Sequence, residues 1–145
     1  MKIFFLIFGH LPLTTLSIYF FYLLHDFDIY IIISCLLFGW LIDIDHLIDY
    51  FLFILKTKNQ FNLKEFLSGK YFHKSKRIII FLHSYEISIS ILIISIFIDE
   101  RIIFVCLAHT LHLLQDHMHN RIKFLSYFFL YRAIVQFNSD DICSD

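Results

Sequence analysis

The run Asp43-Ile44-Asp45-His46-Leu47-Ile48-Asp49 puts three carboxylates and an imidazole into seven positions of an otherwise apolar stretch. Two later apolar stretches carry groups of the same kind, His83-Ser84-Tyr85-Glu86 and His109-Thr110-Leu111-His112-Leu113-Leu114-Gln115-Asp116. Residues three and four apart share a helix face, which pairs Asp45 with Asp49, His46 with Asp49, His83 with Glu86 and His112 with Asp116. His109 returns to nearly the same angle as Asp116, so His109, His112 and Asp116 form one stripe. Imidazole and carboxylate pairs turned inward from several helices of a bundle are how helical proteins build metal sites, often for two ions.

The donor types narrow the metal. Imidazoles mixed with carboxylates, without a positioned thiolate, suit Zn first, with Mn or Fe as the other candidates, rather than a sulfur cluster or a calcium cage. The expected metal ligands are His10, Asp43, Asp45, His46, His83, His112 and Asp116. They exceed the four of a closed structural zinc site, so one or two ions are expected. Two metals ~3.5–4 Å apart activate a water and stabilise the leaving oxygen of a phosphoester, which makes hydrolysis the natural chemistry. Glu86, one turn from His83, is expected as ligand or general base, and Asp49 is the other candidate for a catalytic carboxylate. The plainer alternatives are helix capping for the Asp43–Asp49 run and interhelical hydrogen bonding for His83 and Glu86.

The elements that must position these groups are membrane-like in composition. Of 145 residues 59% are hydrophobic, with 19 Phe, three Gly and one Pro, outside the usual range for a soluble domain of this length. Stretches 3–24, 29–55, 78–98 and 102–118 are long enough to cross a hydrocarbon core, which takes ~20 apolar residues. The segment 122–137 carries Lys123, Arg132 and Gln136 and reads as a helix lying at the interface. The expected architecture is all-α: one membrane domain of four transmembrane helices plus a C-terminal interfacial helix, with a frayed tail after Asn138. The first stretch contains His10 and Pro12 and lacks a small-x-small cleavage site, so it is expected to stay as a helix. Cys35, Cys106 and Cys143 have no disulfide or zinc-ribbon spacing and read as incidental.

Residues 56–77 hold Lys56, Lys58, Lys64, Lys70, Lys74, Lys76 and Arg77 against Glu65 alone. The positive-inside rule makes this loop cytoplasmic, with the N-terminus on the same side of an inner membrane. With a rise of ~1.5 Å per residue, His10, Asp43 to Asp49, His83, His112 and Asp116 then fall within roughly 10–12 Å of one membrane face. Membrane lipids are the expected partners, their anionic headgroups attracted by the basic loop. No nucleic-acid partner is expected, and so small a bundle can need a second chain.

Asp43-Ile44-Asp45-His46, the His83-Ser84 pair and His112-Leu113-Leu114-Gln115-Asp116, with the early His10, resemble the motifs of the bacterial and archaeal family of predicted membrane-bound, metal-dependent hydrolases, itself distantly similar to zinc-dependent phospholipase C. The resemblance covers roughly residues 10 to 120. It implies a phosphoester or lipid-linked substrate and a metal held by His10, Asp43, Asp45, His46, His83, His112 and Asp116. The chain departs from the family pattern in having Ile42 where Pro is common, Ile78 and Ile79 where a His-Arg pair is common, and His117-Met118-His119-Asn120 after Asp116. The alternative expectation is a divalent-metal carrier, or a metal-binding membrane protein without hydrolytic activity.

Overall fold

The computed structural model describes residues 9–120 and 122–143; residues 3–8 of the expected first span lie outside it. Among the described residues the chain is all-helical, without a strand beyond two isolated bridges, Arg77 with Asn138 and Ile122 with Cys143. Four helices run alternately up and down. α1 is Leu11–Leu24, with Pro12 in its first turn where a missing N–H costs nothing. α2 is Ile29–Gly39, started by Asp28, whose carboxylate accepts from the amides of Tyr30 and Ile31. A 3₁₀ turn, Leu41–Ile44, leads into α3, Asp45–Thr57, at a bend of 55°. Two short helices follow, α4 (Leu63–Ser68) and α5 (Lys70–Ser75), then α6 (Tyr85–Phe97) and α7 (Ile103–His119). α7 is the central post, packed against α1, α2 and α6.

The bundle interior is unusual in what it buries. α1 turns Thr14, Ser17 and Phe21 inward, and α6 turns Ser88, Ile91 and Ser95 inward, while Leu24, Ile96, Phe97 and Ile98 point outward. Small polar residues inside and large apolar ones outside invert the pattern of a water-soluble bundle. Small side chains let backbones approach closely: a Cβ on Gly39 would lie 2.6 Å from Thr14 Oγ1 and 2.9 Å from Ala108 Cβ. The apolar centre, Phe21, Ile31, Cys35, Ile91, Phe104, Val105 and Ala108, sits toward the far half of the bundle. At that far end Arg101 ties Asp99 to Asp28.

The structure departs from the expected elements at four points. No single helix is long and apolar enough to cross a membrane among the described residues; only α2 with the bent continuation through α3 passes by length and composition. At ~1.5 Å per residue, the 13-residue α6 is about 20 Å long and the 17-residue α7 about 26 Å. The apolar run Ile78 to Leu82 is not helical, and α6 begins only at Tyr85. The segment 122–137 is divided into a 3₁₀ turn, Phe124–Tyr127, and α8, Phe129–Ile134. The tail beyond it is fastened: Ile78 donates to the Phe137 carbonyl, Ser139 to that of Lys76, and Lys123 to that of Ile142. A last turn, α9 (Ser139–Ile142), buries Ile142 with Ile78 and Ile80.

Candidate metal centre

Up-and-down order brings one end of each bundle helix to the same layer. His10 precedes the first residue of α1, Gly39 ends α2, His83 stands just before α6, and His112 and Asp116 lie in the last turns of α7. The 3₁₀ turn after α2 projects Asp43 into the middle of this layer. Asp43 Oδ1 lies 3.1 Å from His83 Nε2, 3.6 Å from His46 Nε2 and 3.7 Å from His112 Nε2, and Oδ2 lies 3.9 Å from His10 Nε2. Asp116 faces the same space, 3.4 Å from His10 Nε2, 3.5 Å from His83 Nε2 and 3.7 Å from His112 Nε2.

Two overlapping groups can each hold a metal ion. One is His10, Asp43, His112 and Asp116; the other is Asp43, His46 and His83; within each, the donor atoms lie within 4.8 Å of one another. Asp43 belongs to both. The residues fit a cation by their donor chemistry. His112 Nδ1 faces the Gly39 carbonyl at 3.1 Å, so that nitrogen carries the proton and Nε2 turns a lone pair into the cluster. It meets His83 Nε2 at 3.2 Å, and Asp43 Oδ2 is buried there without a hydrogen-bond partner. His83 Nε2 also lies 3.1 Å from Asp43 Oδ1, so two carboxylates and several imidazole nitrogens converge on one buried space, where either a protonated imidazole or a cation satisfies them. His10 is stacked on His112, ring centroids 3.8 Å apart.

The acidic motif divides by face. Asp43 and His46, three apart, look into the cluster. Asp45 and Asp49, four apart, look the other way, at the irregular segment 77–84. Asp45 Oδ2 accepts from the Leu82 amide at 2.9 Å, and Oδ1 stands 3.0 Å from His83 Nδ1 without the alignment of a hydrogen bond. Asp45, expected as a ligand, is thus in neither group and stands behind the His83 imidazole, on the side away from the cluster. Asp49 Oδ2 accepts from the amides of Ile79 and Ile80 at 2.8 and 3.2 Å.

Glu86 is also engaged elsewhere. Its two oxygens accept from the amides of Phe129 and Leu130, both at 3.0 Å, capping α8 from a neighbouring helix. Asp49 and Glu86, the carboxylates expected in catalytic roles, thus face backbone donors rather than the cluster; a carboxylate in apolar surroundings takes the nearest unsatisfied N–H groups. His109, on the same stripe as His112, faces Ser88 Oγ at 2.7 Å and the Leu82 carbonyl at 3.1 Å.

Sequence reasoning passed over Arg132. Its side chain is buried, Nη1 donating to the Ile80 carbonyl at 2.8 Å and Nη2 to the His83 carbonyl at 3.0 Å. Burial pulls its pKa down to about 10, against the pull of Asp45, Glu86 and Asp49; the guanidinium stays charged at neutral pH. The only signal in the chain was one arginine in an apolar segment. No protein-family model, curated protein or solved structure matches the chain.

Proposed function

We propose that the chain is a membrane-bound, metal-dependent hydrolase acting on a phosphoester or other lipid-linked substrate at the cytoplasmic face of an inner membrane. The observation that carries this reading is Asp43, one carboxylate common to two ligand groups that together offer four imidazoles and two carboxylates. A shared carboxylate between two cation sites is the arrangement that serves phosphoester hydrolysis. Zn suits the donor set best, with Mn or Fe as alternatives. The resemblance of the Asp43–His46, His83–Ser84 and His112–Asp116 motifs to the membrane-bound hydrolase family supports the same reading.

His10, Asp43, His46, His83, His112 and Asp116 would hold the metal. A divalent ion bound there supplies an electrophile for the phosphoester oxygen and lowers the pKa of water. His10, His83 and His112 are almost wholly buried and wall the inner side, while Asp43 and His46 keep 18% and 20% of their side-chain surface exposed. Substrate would therefore meet the site on the Asp43 and His46 side. The neighbouring Ile44 and Ile48 are exposed there, which favours a substrate with an apolar part.

Membrane insertion is supported by the inverted bundle, whose outer surface exposes large apolar residues such as Leu55, Phe97 and Ile98. Helices short of the ~30 Å of an average hydrocarbon core are accommodated by local thinning and by flanking residues. The basic segment 56–77 adjoins the site end of the bundle, in keeping with a cytoplasmic site and N-terminus. The test is elemental analysis of the full chain purified in detergent, then hydrolysis of phosphoester lipids with the metal found. Bound metal in the wild type, lost in Asp43→Ala and His112→Ala, is expected; a wild type that binds none overturns the reading. Bound metal without hydrolysis would leave the carrier or metal-binding alternative.

A further inference from the structure

We propose that Arg132, on the far C-terminal helix α8, is the positioning residue for His83, clamping the segment that presents this imidazole to the metal ligands; the inference rests on the metal reading of the cluster. Residues 77–84 form neither helix nor strand yet are deeply buried at Ile78, Ile80, His83 and Ser84. Buried backbone without regular structure needs other partners. Side chains from three helices provide them: Asp49 takes the amides of Ile79 and Ile80, Asp45 that of Leu82, His109 faces the Leu82 carbonyl, and Arg132 bonds the carbonyls of Ile80 and His83.

Two features single out Arg132 among these grips. It holds the carbonyl of His83 itself, so it sets where the imidazole begins; Asp45 can aim the ring only once that backbone is in place. It also holds one side of Ile80, whose φ of 23° is a conformation β-branched residues avoid. Asp49 holds the amide on the other side of the same residue. A strained residue gripped at both its N–H and its C=O persists only while both grips hold. Arg132 does this with the two ends of one planar fork, which reach carbonyls three residues apart; a lysine ammonium is a single point on a flexible stem.

Arg132→Gln, Arg132→Lys and, as a control, Glu86→Gln would be compared with the wild type as full chains in detergent. Glu86→Gln removes a carboxylate charge near Arg132, keeps a side-chain oxygen to accept from the start of α8 and leaves the partners of the 77–84 carbonyls in place. Two readouts are taken: hydrogen exchange of the 78–84 peptide, and the visible spectrum and affinity of added Co(II). Arg132→Gln is expected to speed exchange at Ile79, Ile80 and Leu82 at least tenfold, weaken Co(II) by about 10–100-fold as for other residues that orient ligands, and shift the visible bands. Arg132→Lys should fall between it and the wild type, and carries the comparison if the Gln variant does not fold. Glu86→Gln should leave both readouts near wild type. Exchange and spectrum in the Arg132 variants that match the wild type or the Glu86→Gln control overturn the proposal. A wild type that takes up no Co(II) removes the hydrolase reading instead, and exchange alone then decides whether Arg132 clamps the segment.

Discussion

Asp43 and Asp45 stand two positions apart and do unlike work. A turn of 3₁₀ helix sends the first among four imidazoles and the second against a loop amide and the back of His83. Their substitutions should separate accordingly. Asp43→Ala removes the carboxylate common to both ligand groups, and no metal should remain by elemental analysis. Asp45→Asn keeps every ligand and should retain metal with affinity lower by about 10–100-fold, measured by competition with a chelator; equal loss in both variants would make Asp45 a ligand after all. Gly39 acts at the same scale through its size. A methyl there would meet Thr14 and Ala108 below contact distance, and the carbonyl beside it holds His112. Gly39→Ala should cost about 1–3 kcal/mol of stability, as overpacking does, read from thermal unfolding in detergent.

Among the elements, α8 has its start set by another helix. Glu86 supplies acceptors for the two orphan amides at its first turn, so Glu86→Ala should destabilise by about 1–3 kcal/mol, read from thermal unfolding in detergent. The basic segment is docked by Glu65, which accepts from Lys74 and from Tyr50. The hydrogen bond from Lys74 holds Glu65 below its ordinary value of 4.5. A depressed carboxylate stabilises above 4.5 and loses that contribution as pH falls through its folded value, so proteolysis within 58–76 should rise on acidification, and Glu65→Gln should abolish that rise. Much of the helical order was legible, because α1, α2 and α7 are apolar runs with polar boundaries. The segment 77–84 was not. Ile78 to Leu82 has a helical composition, and what keeps it from being helical is a set of acceptors and donors on α3, α7 and α8, which no local window contains. The carboxylate spacing likewise showed that Asp45 and Asp49 share a face but not that this face would meet a loop.

For the molecule as a whole, the exposed apolar shell is the property that a single measurement reaches. The chain should stay with the membrane fraction through an alkaline carbonate wash and leave it only with detergent; release by carbonate would remove the membrane part of the proposed function. A bundle with serine and threonine inside gains little from keeping water out of its interior, so its helices must be held by close contact and by interhelical hydrogen bonds such as that between Ser88 and His109. The fastening of the tail carries a further consequence, one of timing. The carbonyl of His83 is held by a residue synthesised 49 positions later, and the amide of Ile78 waits for Phe137. Helices α1 to α3 can pair while the chain is still growing, and Asp45 and Asp49 can already take the amides of Ile79, Ile80 and Leu82, but the carbonyls of Ile80 and His83 lack their partner until α8 has left the ribosome. Completion of the cluster is therefore a late event in the life of each molecule, and a nascent chain stalled before Arg132 would carry all six residues of the cluster without the clamp on His83.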